Sequence, residues 1–134
     1  MSTSTNHKPR FVGTGTLVLG NVQFGENVWV GHYCLLEALN EGAKLTIGEN
    51  SVISSFVRIY THDTSYRTAL GKPKSVASTS VGSNTQIGDG SIVLAGVKVG
   101  SHVIIGANSV VDKDVADYKV AAGVPIKIVR SLKE

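Results

Sequence analysis

Aromatic residues and prolines are scarce in this chain of 134 residues, with aromatics at 6% and only three prolines. A core with so few aromatic rings must be aliphatic, and the valines and isoleucines that supply it favour strands over helices. The fifteen glycines therefore indicate many tight corners in a folded chain rather than a disordered linker. The length corresponds to a single domain.

Cysteine, long apolar runs and dense positive charge are also missing. The lone Cys34 cannot form an internal disulfide, which fits a reducing compartment. No apolar run follows MSTSTNHKPR as a signal peptide would require, and no stretch approaches the roughly 18 apolar residues of a membrane span. The net charge of +3 is not gathered into a basic patch, which argues against a nucleic-acid partner. We therefore expect a cytoplasmic protein without a membrane span.

What is present is an apolar residue, nearly always aliphatic, that recurs every six positions within three runs of the chain. Six residues turn a helix by about 600°, which would put successive members on different faces. A short strand plus a corner fits the spacing, and three such units close a triangular coil whose neighbours stack as parallel strands about 4.8 Å apart. A glycine often follows the aliphatic residue, and we expect it to turn the corner with its free dihedrals. The ladder comprises Phe24, Val30, Leu36, Ile47, Ile53, Ile59, Val81, Ile87, Val93, Val99, Ile105 and Val111.

This repeat resembles that of the hexapeptide-repeat acyltransferases, from about Leu17 to Arg130. The resemblance implies an all-β fold, a left-handed parallel β-helix; the handedness comes from the resemblance alone, because parallel crossovers are usually right-handed. We expect one domain, residues 1–134. It would comprise a polar arm at 1–16, the β-helix at 17–116 with a loop at 61–80, and a C-terminal cap at 117–134. A short helix is expected to begin near Pro125 in the cap.

The loop carries the main functional signal. Long loops that leave a compact fold are uncommon unless they are functional or disordered. RIYTHDTSYRTALGKPKSVASTS, residues 58–80, resembles the loop of sugar and polysaccharide O-acetyltransferases, in which a Thr-His pair opens the loop and the histidine is the general base. The resemblance makes His62 the catalytic candidate. Asp63 is a candidate for orienting its imidazole, while Tyr66 and Arg67 are candidates for contacting the acceptor or a neighbouring subunit.

The same resemblance implies acetyl-CoA as co-substrate, a sugar or glycan acceptor, and a homotrimer with active sites between subunits. AAGVPIKIVR resembles the closing motif of the family. Two features depart from it: Gln86 stands where many relatives have tryptophan, and a short polar arm replaces the N-terminal helical region of the galactoside branch. The second departure favours the polysaccharide branch. The candidates for cofactor binding are Gly96, Ala107, Lys113, Lys127 and Arg130.

Three alternatives stay open or are disfavoured. An N-acetyltransferase acting on an amino-sugar nucleotide would have the same fold and would tolerate loss of His62. A non-catalytic β-helix scaffold would not bind acetyl-CoA. A γ-type carbonic anhydrase requires three histidine ligands that include a close pair, whereas His32, His62 and His102 are at least thirty residues apart, so we expect no metal.

Overall fold

The computed structural model describes residues 6–133, which form a parallel β-helix with three faces. Face A contains β1 (Phe11–Val12), β4 (Trp29–Val30), β7 (Val52–Ile53), β12 (Gln86–Ile87), β15 (Ile104–Ile105), β17 (Lys119–Ala122) and β18 (Lys127–Ser131). Face B contains β2 (Leu17–Gly20), β5 (Leu35–Ala38), β8 (Arg58–Ile59), β13 (Ile92–Val93) and β16 (Val110–Val111). Face C contains β3 (Val22–Phe24), β6 (Leu45–Ile47), β11 (Thr79–Val81) and β14 (Lys98–Val99). This is a parallel β-helix, as the repeat predicted, and it has the left-handed form that the family resemblance implied.

The six-residue ladder forms the core, as expected. Every ladder residue is buried, with at most 4% of its surface exposed. A second inward row precedes it by two positions, and its polar members bond to the next coil: Thr85 Oγ1 donates to Gly100 O at 2.8 Å, and Ser91 Oγ to Gly106 O at 3.0 Å. Each fully buried aliphatic side chain contributes about 1.5–3 kcal/mol, so stacked rows of them hold the thin prism together.

The corners are built differently from the expectation. The residue with positive φ lies three positions after the ladder residue, as at Asn84 (φ 51°) and Asn108 (φ 56°), where the left-handed region suits asparagine. Gly82, directly after the ladder residue, is not among the residues with positive φ. A Cβ there would lie 2.6 Å from the carbonyl carbon of Gly100 in the next coil. These glycines are therefore required for close stacking of coils, not for conformational freedom.

The two ends of the β-helix also differ from the sequence-based prediction. Within the expected polar arm, Phe11 and Val12 pair in parallel with Trp29 and Val30, so the arm supplies the first strand of face A. The first five residues of that arm lie outside the described residues. The C-terminal helix predicted near Pro125 is wrong: residues 127–131 form β18, which pairs antiparallel with β17. An antiparallel strand continues the backbone ladder of the last coil, which a helix could not do.

The long loop leaves the β-helix after β8 and returns at β11, at the corner between faces B and C. We call this corner the site corner. The loop contains β9 (His62–Asp63), helix α1 (Ser65–Leu70) and β10 (Ser75–Val76), and it returns to face C at Thr79. Strands β9 and β10 pair antiparallel and form the base of the loop. Helix α1 has no buried residue and ends at Gly71, which is in the left-handed conformation. No helix in the described part of the chain has the length and apolar character to cross a membrane.

Candidate active site

The central feature of the site is a hydrogen bond between the imidazole of His62 and the carboxylate of Glu37. His62 Nδ1 and Glu37 Oε1 are 2.8 Å apart. Glu37 is 3% exposed, whereas the His62 side chain is 31% exposed. Because an ionised carboxylate only accepts hydrogen bonds, the proton lies on Nδ1, and Nε2 is the nitrogen with a free lone pair. The arrangement therefore gives His62 the tautomer of a general base.

Glu37 is itself held by backbone and side-chain donors. Leu39 N–H donates to Oε2 at 2.8 Å, and Thr61 donates to Oε1 through its N–H at 3.2 Å and its hydroxyl at 3.4 Å. Burial alone would raise the pKa of the Glu37 carboxyl. These donors, together with the imidazole of His62, outweigh burial and hold that pKa below its ordinary value of 4.5. Glu37 therefore stays ionised at neutral pH.

The geometry corrects the sequence-based choice of orienting residue. Asp63 does not hold the imidazole; its Oδ1 accepts the N–H of Ser65 at 2.8 Å, at the start of helix α1. Glu37 takes that position instead and was not predicted. Glu37 lies two positions after Leu35 on the same strand, so its side chain points to the same, outward side of face B. From the sequence pattern alone, the Glu37 side chain would therefore be expected in solvent. In the structure it is buried, and Thr61 and His62 at the base of the loop contact its carboxylate.

Hydrogen bonds across the base of the loop fix the position of His62. Thr79 Oγ1 donates to Tyr60 O at 2.7 Å, and Gly96 N–H donates to Thr79 Oγ1 at 2.9 Å. Ala77 N–H donates to Thr61 O at 2.9 Å. Thus both chain segments that lead into the loop are joined to each other and to the next coil. The candidate base lies on a rigid part of the fold, as a catalytic side chain requires.

His62 lines a cleft of about 570 Å³ at the site corner. The ring of Tyr60 packs edge-on to the imidazole, with centroids 6.2 Å apart. The upper wall comes from the corner that joins β13 and β14 in the fourth coil. The lining residues are Tyr60, His62, Asp63, Thr64, Ser75, Ala77, Leu94, Ala95 and Asp112. A polar floor with a base and a partly apolar wall is a common composition for a small-molecule site.

The remaining candidates are distributed over several elements. Gly96 follows the Leu94–Ala95 wall at the site corner, and Lys113 is exposed at the same corner one coil further on. Ala107 lies at the corner between faces A and B, away from His62. Lys127 and Arg130 are exposed on β18. Gly96 and Lys113 thus lie at the site corner, although neither is among the residues that line the cleft.

Helix α1 carries the two acceptor candidates. Tyr66 and Arg67 are both exposed on it and do not line the cleft of this chain. The loop also contacts the short connection between β5 and β6, which we call the excursion after β5. Lys74 Nζ donates a hydrogen bond to Asn40 Oδ1 in that connection, at 2.6 Å. Among the described residues, no three histidine, cysteine, aspartate or glutamate side chains are grouped so that they could hold a metal ion.

Comparison with known proteins finds the same repeat in a family of transferases. The family model of the bacterial transferase hexapeptide (six repeats) matches residues 78–113. This stretch of the chain thus matches the hexapeptide repeat of these transferases. It is 34% identical over 116 residues to YJL218W of Saccharomyces cerevisiae, an acetyltransferase by name, and the match covers 85% of this chain and 58% of that protein. The chain therefore spans less than two thirds of the length of this curated relative.

Solved structures show the same fold. A maltose O-acetyltransferase from Clostridium difficile 630 superposes with a TM-score of 0.72 at 26% identity, covering 95% of this hexapeptide-repeat chain and 70% of that one. AntD, an N-acyltransferase from Bacillus cereus solved with dTDP and coenzyme A, superposes with a TM-score of 0.78 at 22% identity. That match covers 88% of this chain and 68% of AntD, and at this identity it supports the fold only.

Proposed function

We propose that this protein is an acetyl-CoA-dependent O-acetyltransferase that acts on a hydroxyl of a sugar or polysaccharide precursor, with His62 as general base. The observation that carries the proposal is the 2.8 Å contact between His62 Nδ1 and the buried Glu37 carboxylate. That contact directs the basic lone pair of Nε2 away from Glu37 on a residue that lines the cleft. The match of residues 78–113 to a transferase repeat and the similarity to a maltose O-acetyltransferase support the reaction class.

The chemistry follows from this tautomer. The acceptor hydroxyl oxygen attacks the thioester carbonyl carbon as Nε2 of His62 takes the hydroxyl proton. The C–S bond then breaks, the ester C–O bond remains, and the imidazolium returns the proton to the leaving thiolate. Glu37 acts as a positioning residue that fixes the ring and stabilises the transient imidazolium. A positioned base of this kind contributes about 10²–10⁴-fold, and the rest comes from holding both substrates together.

The residues at the site corner suit the acyl donor. The Leu94–Ala95 wall is apolar and suits the methylene segments of a pantetheine arm, and the adjacent Gly96 has no side chain that would keep the arm from the backbone. Lys113, exposed one coil further on, is suitable for a phosphate charge. We assign Gly96 and Lys113 to the donor on this basis. Ala107, Lys127 and Arg130 stay predictions.

We also infer a homotrimer from the distribution of outward side chains. Face C presents polar residues, whereas the outward rows of faces A and B are mostly apolar. The row on face A is Phe11, Trp29, Val52, Gln86, Ile104 and Val120, and the row on face B is Leu17, Leu35, Arg58, Ile92 and Val110. Faces A and B are both apolar, differ in sequence and share a corner, so face A of one subunit can pack against face B of the next. Because the prism is triangular, three such contacts close into a ring.

The shared corner of faces A and B supports that arrangement. It carries the stacked rings of Tyr33 and Phe56, with centroids 5.6 Å apart. These side chains are 58% and 57% exposed, and both residues have positive φ, which costs energy for bulky side chains. Burial of both rings near a threefold axis would offset that strain. The site corner would then lie beside a neighbouring subunit, which we propose completes the active site.

The test is acetyl-CoA turnover with a panel of sugars, comparing wild type with His62→Ala. We expect at least one sugar to stimulate thioester cleavage and the variant to lose at least about 10²-fold in kcat. His102→Ala is the matched control, because His102 is an exposed ring at another corner, stacked on Tyr118. Unchanged acetyl-CoA binding by His62→Ala would show that the loss is chemical.

The other outcomes separate the alternatives. If wild type and His62→Ala turn over acetyl-CoA equally with an amino-sugar nucleotide as acceptor, N-acetylation would be favoured. Failure of the wild type to bind acetyl-CoA would favour a non-catalytic scaffold. Cytoplasmic location and a role in polysaccharide synthesis are parts of the same proposal and need localisation and gene-deletion experiments.

A further inference from the structure

A single charged side chain interrupts the apolar outward row of face B. Arg58 lies between Leu35 and Ile92 on the neighbouring strands, and it is exposed. No other described residue forms a hydrogen bond or an ion pair with its guanidinium. A guanidinium has five N–H donors, and covering it with an apolar surface alone would leave them unpaired at a cost in free energy. A surface that packs on face B must therefore supply an acceptor opposite Arg58.

Face A has the complementary interruption. Gln86 lies between Val52 and Ile104 in its outward row, and it is exposed. Among the described residues of that row it has the only side-chain carbonyl, and its carboxamide has no hydrogen-bond partner within the described chain. The carboxamide oxygen can accept the N–H groups of a guanidinium. Face A therefore offers one acceptor within a surface that is otherwise apolar.

Arg58 and Gln86 lie at nearly the same level along the prism. Each is the outward residue of a two-residue strand in the middle of its face. Arg58 follows Val52 by one face, whereas Gln86 lies one coil above Val52. With coils about 4.8 Å apart, the levels of Arg58 and Gln86 differ by about 3 Å, which an arginine side chain can span. Rotation about an axis parallel to the prism preserves these levels, so a ring of three copies brings the two residues together.

We propose that Arg58 of one subunit donates hydrogen bonds to the side-chain carbonyl of Gln86 in the next subunit. The partner of face B is then face A of a second copy of this chain. This inference rests on the proposed homotrimer and names the contact that selects and aligns its subunits. A shift of one coil along the axis would place the guanidinium against an aliphatic residue, so the pair also disfavours the other registers.

The other two faces of a second copy do not offer this combination. The described row of face B has no side-chain acceptor, and it would bring a second Arg58 into the contact. Face C has acceptors at Thr46 and Ser80, but its row has no apolar residue that could cover Leu35 and Ile92. Face A alone combines an acceptor with apolar neighbours among the described residues.

The contact also determines what lies beside the candidate base. Arg58 precedes Tyr60 by two residues, so both side chains point to the outward side of face B. Tyr60 lines the cleft together with His62. The subunit that binds Arg58 is therefore the one beside the cleft, and its register sets which of its residues face His62.

The experiment exchanges the two side chains between the faces. Sedimentation over a range of protein concentrations gives the concentration at which half of the chains are in trimers. Gln86→Arg places two guanidiniums opposite each other, and we expect it to raise that concentration at least about tenfold. Addition of Arg58→Gln to Gln86→Arg restores one arginine and one carboxamide at each contact and should return it to within about threefold of wild type. Thr46→Arg, at an outward position of face C, is the matched control and should leave it unchanged.

A mixture of the two single variants tests whether the pair joins different chains. Labelled Gln86→Arg chains alone should sediment as monomers at a concentration where wild type is trimeric. With an excess of unlabelled Arg58→Gln chains they should sediment as trimers, because their added arginine then meets a carboxamide. Both positions are exposed in the single chain, so we expect every variant to keep the far-UV circular dichroism of wild type.

The outcomes separate this inference from the proposals on which it rests. A trimer that the double variant forms no better than Gln86→Arg alone, or that Thr46→Arg dissociates as readily, overturns the inference and retains the homotrimer. A monomeric wild type that transfers acetyl groups overturns the inference and the homotrimer and retains the transferase. Restoration of the trimer by the exchange, in a protein that transfers no acetyl group, retains the inference and overturns the transferase.

Discussion

At the scale of single residues, the site depends on one buried carboxylate in a row that otherwise faces outward. Glu37 is only 3% exposed and accepts hydrogen bonds from Leu39, Thr61 and His62. Each such bond to an ionised group is worth more than one between neutral groups. Glu37 thus contributes both to the tautomer of the candidate base and to the stability of the loop base.

We predict that Glu37→Gln destabilises the fold by about 1–3 kcal/mol at pH 7, because a neutral amide replaces the charged acceptor. The pKa of Glu37 is depressed in the folded state, so its contribution is fully present above the ordinary value of 4.5. It is lost as pH falls through the folded-state pKa. The difference in free energy of unfolding between wild type and variant should therefore shrink as the pH falls below 4.5, measured by urea denaturation.

Glu49→Gln is the control for that series, because Glu49 is exposed at a corner between faces C and A. A constant difference between wild type and Glu37→Gln across the pH range would contradict ionisation of Glu37. Activity adds a separate readout: Glu37→Asp should recover part of the turnover that Glu37→Gln loses, since it restores the carboxylate.

At the scale of elements, the fold is determined by how closely adjacent coils approach. A Cβ at Gly82 would lie 2.5 Å from Ser101 Oγ and 2.6 Å from the backbone of Gly100. Gly42, in the excursion after β5, has φ +85° and nothing within 4 Å of a Cβ. Gly82 is therefore required because a side chain would clash with the next coil, whereas Gly42 is required because its backbone has a positive φ.

We predict that Gly82→Ala destabilises the protein more than Gly42→Ala does. Overpacking between coils costs about 1–3 kcal/mol, and shifts the backbone of both coils. An alanine at position 42, in the left-handed region, costs about 1–2 kcal/mol without any clash. The backbone of the excursion after β5 can change its conformation to reduce that cost. Denaturant unfolding measures both; a larger loss for Gly42→Ala would show that conformational freedom, and not coil spacing, dominates.

At the scale of the whole molecule, the three faces differ in polarity. The outward row of face C is Gln23, Thr46, Ser80 and Lys98, in contrast to the apolar rows of faces A and B. Ile104 on face A is 42% exposed in the single chain. An apolar surface of this extent is typical of an interface.

We predict that Ile104→Glu dissociates the proposed trimer, because it would place an unpaired charge in the apolar contact between faces A and B. Wild type should sediment as three chains of 14.1 kDa, and the variant as one. Ser80→Glu on face C, beside Lys98, should leave the mass unchanged. A monomeric wild type, or a trimer that Ser80→Glu disrupts and Ile104→Glu does not, would contradict the assigned faces.

Much of this protein followed from its sequence alone. The six-residue period placed every ladder residue in the core, since a strict repeat allows only one inward direction per strand. The same regularity made the interruption at residues 58–80 visible and put His62 at its start. The parallel β-helix was accessible for the same reason, because it is a property of local spacing, whereas its left hand came from the resemblance to the hexapeptide-repeat acyltransferases.

The orienting residue, the corners and the ends were decided only by tertiary structure. Glu37 is 25 residues from His62 in the chain, and its carboxylate is contacted by residues at the base of the loop. The need for glycine at position 82 arises from the backbone of the next coil, which no local pattern shows. β18 replaced the predicted helix because β17 offered an unpaired edge. Local spacing determined the prism, while contacts between distant segments determined the chemistry at its corner.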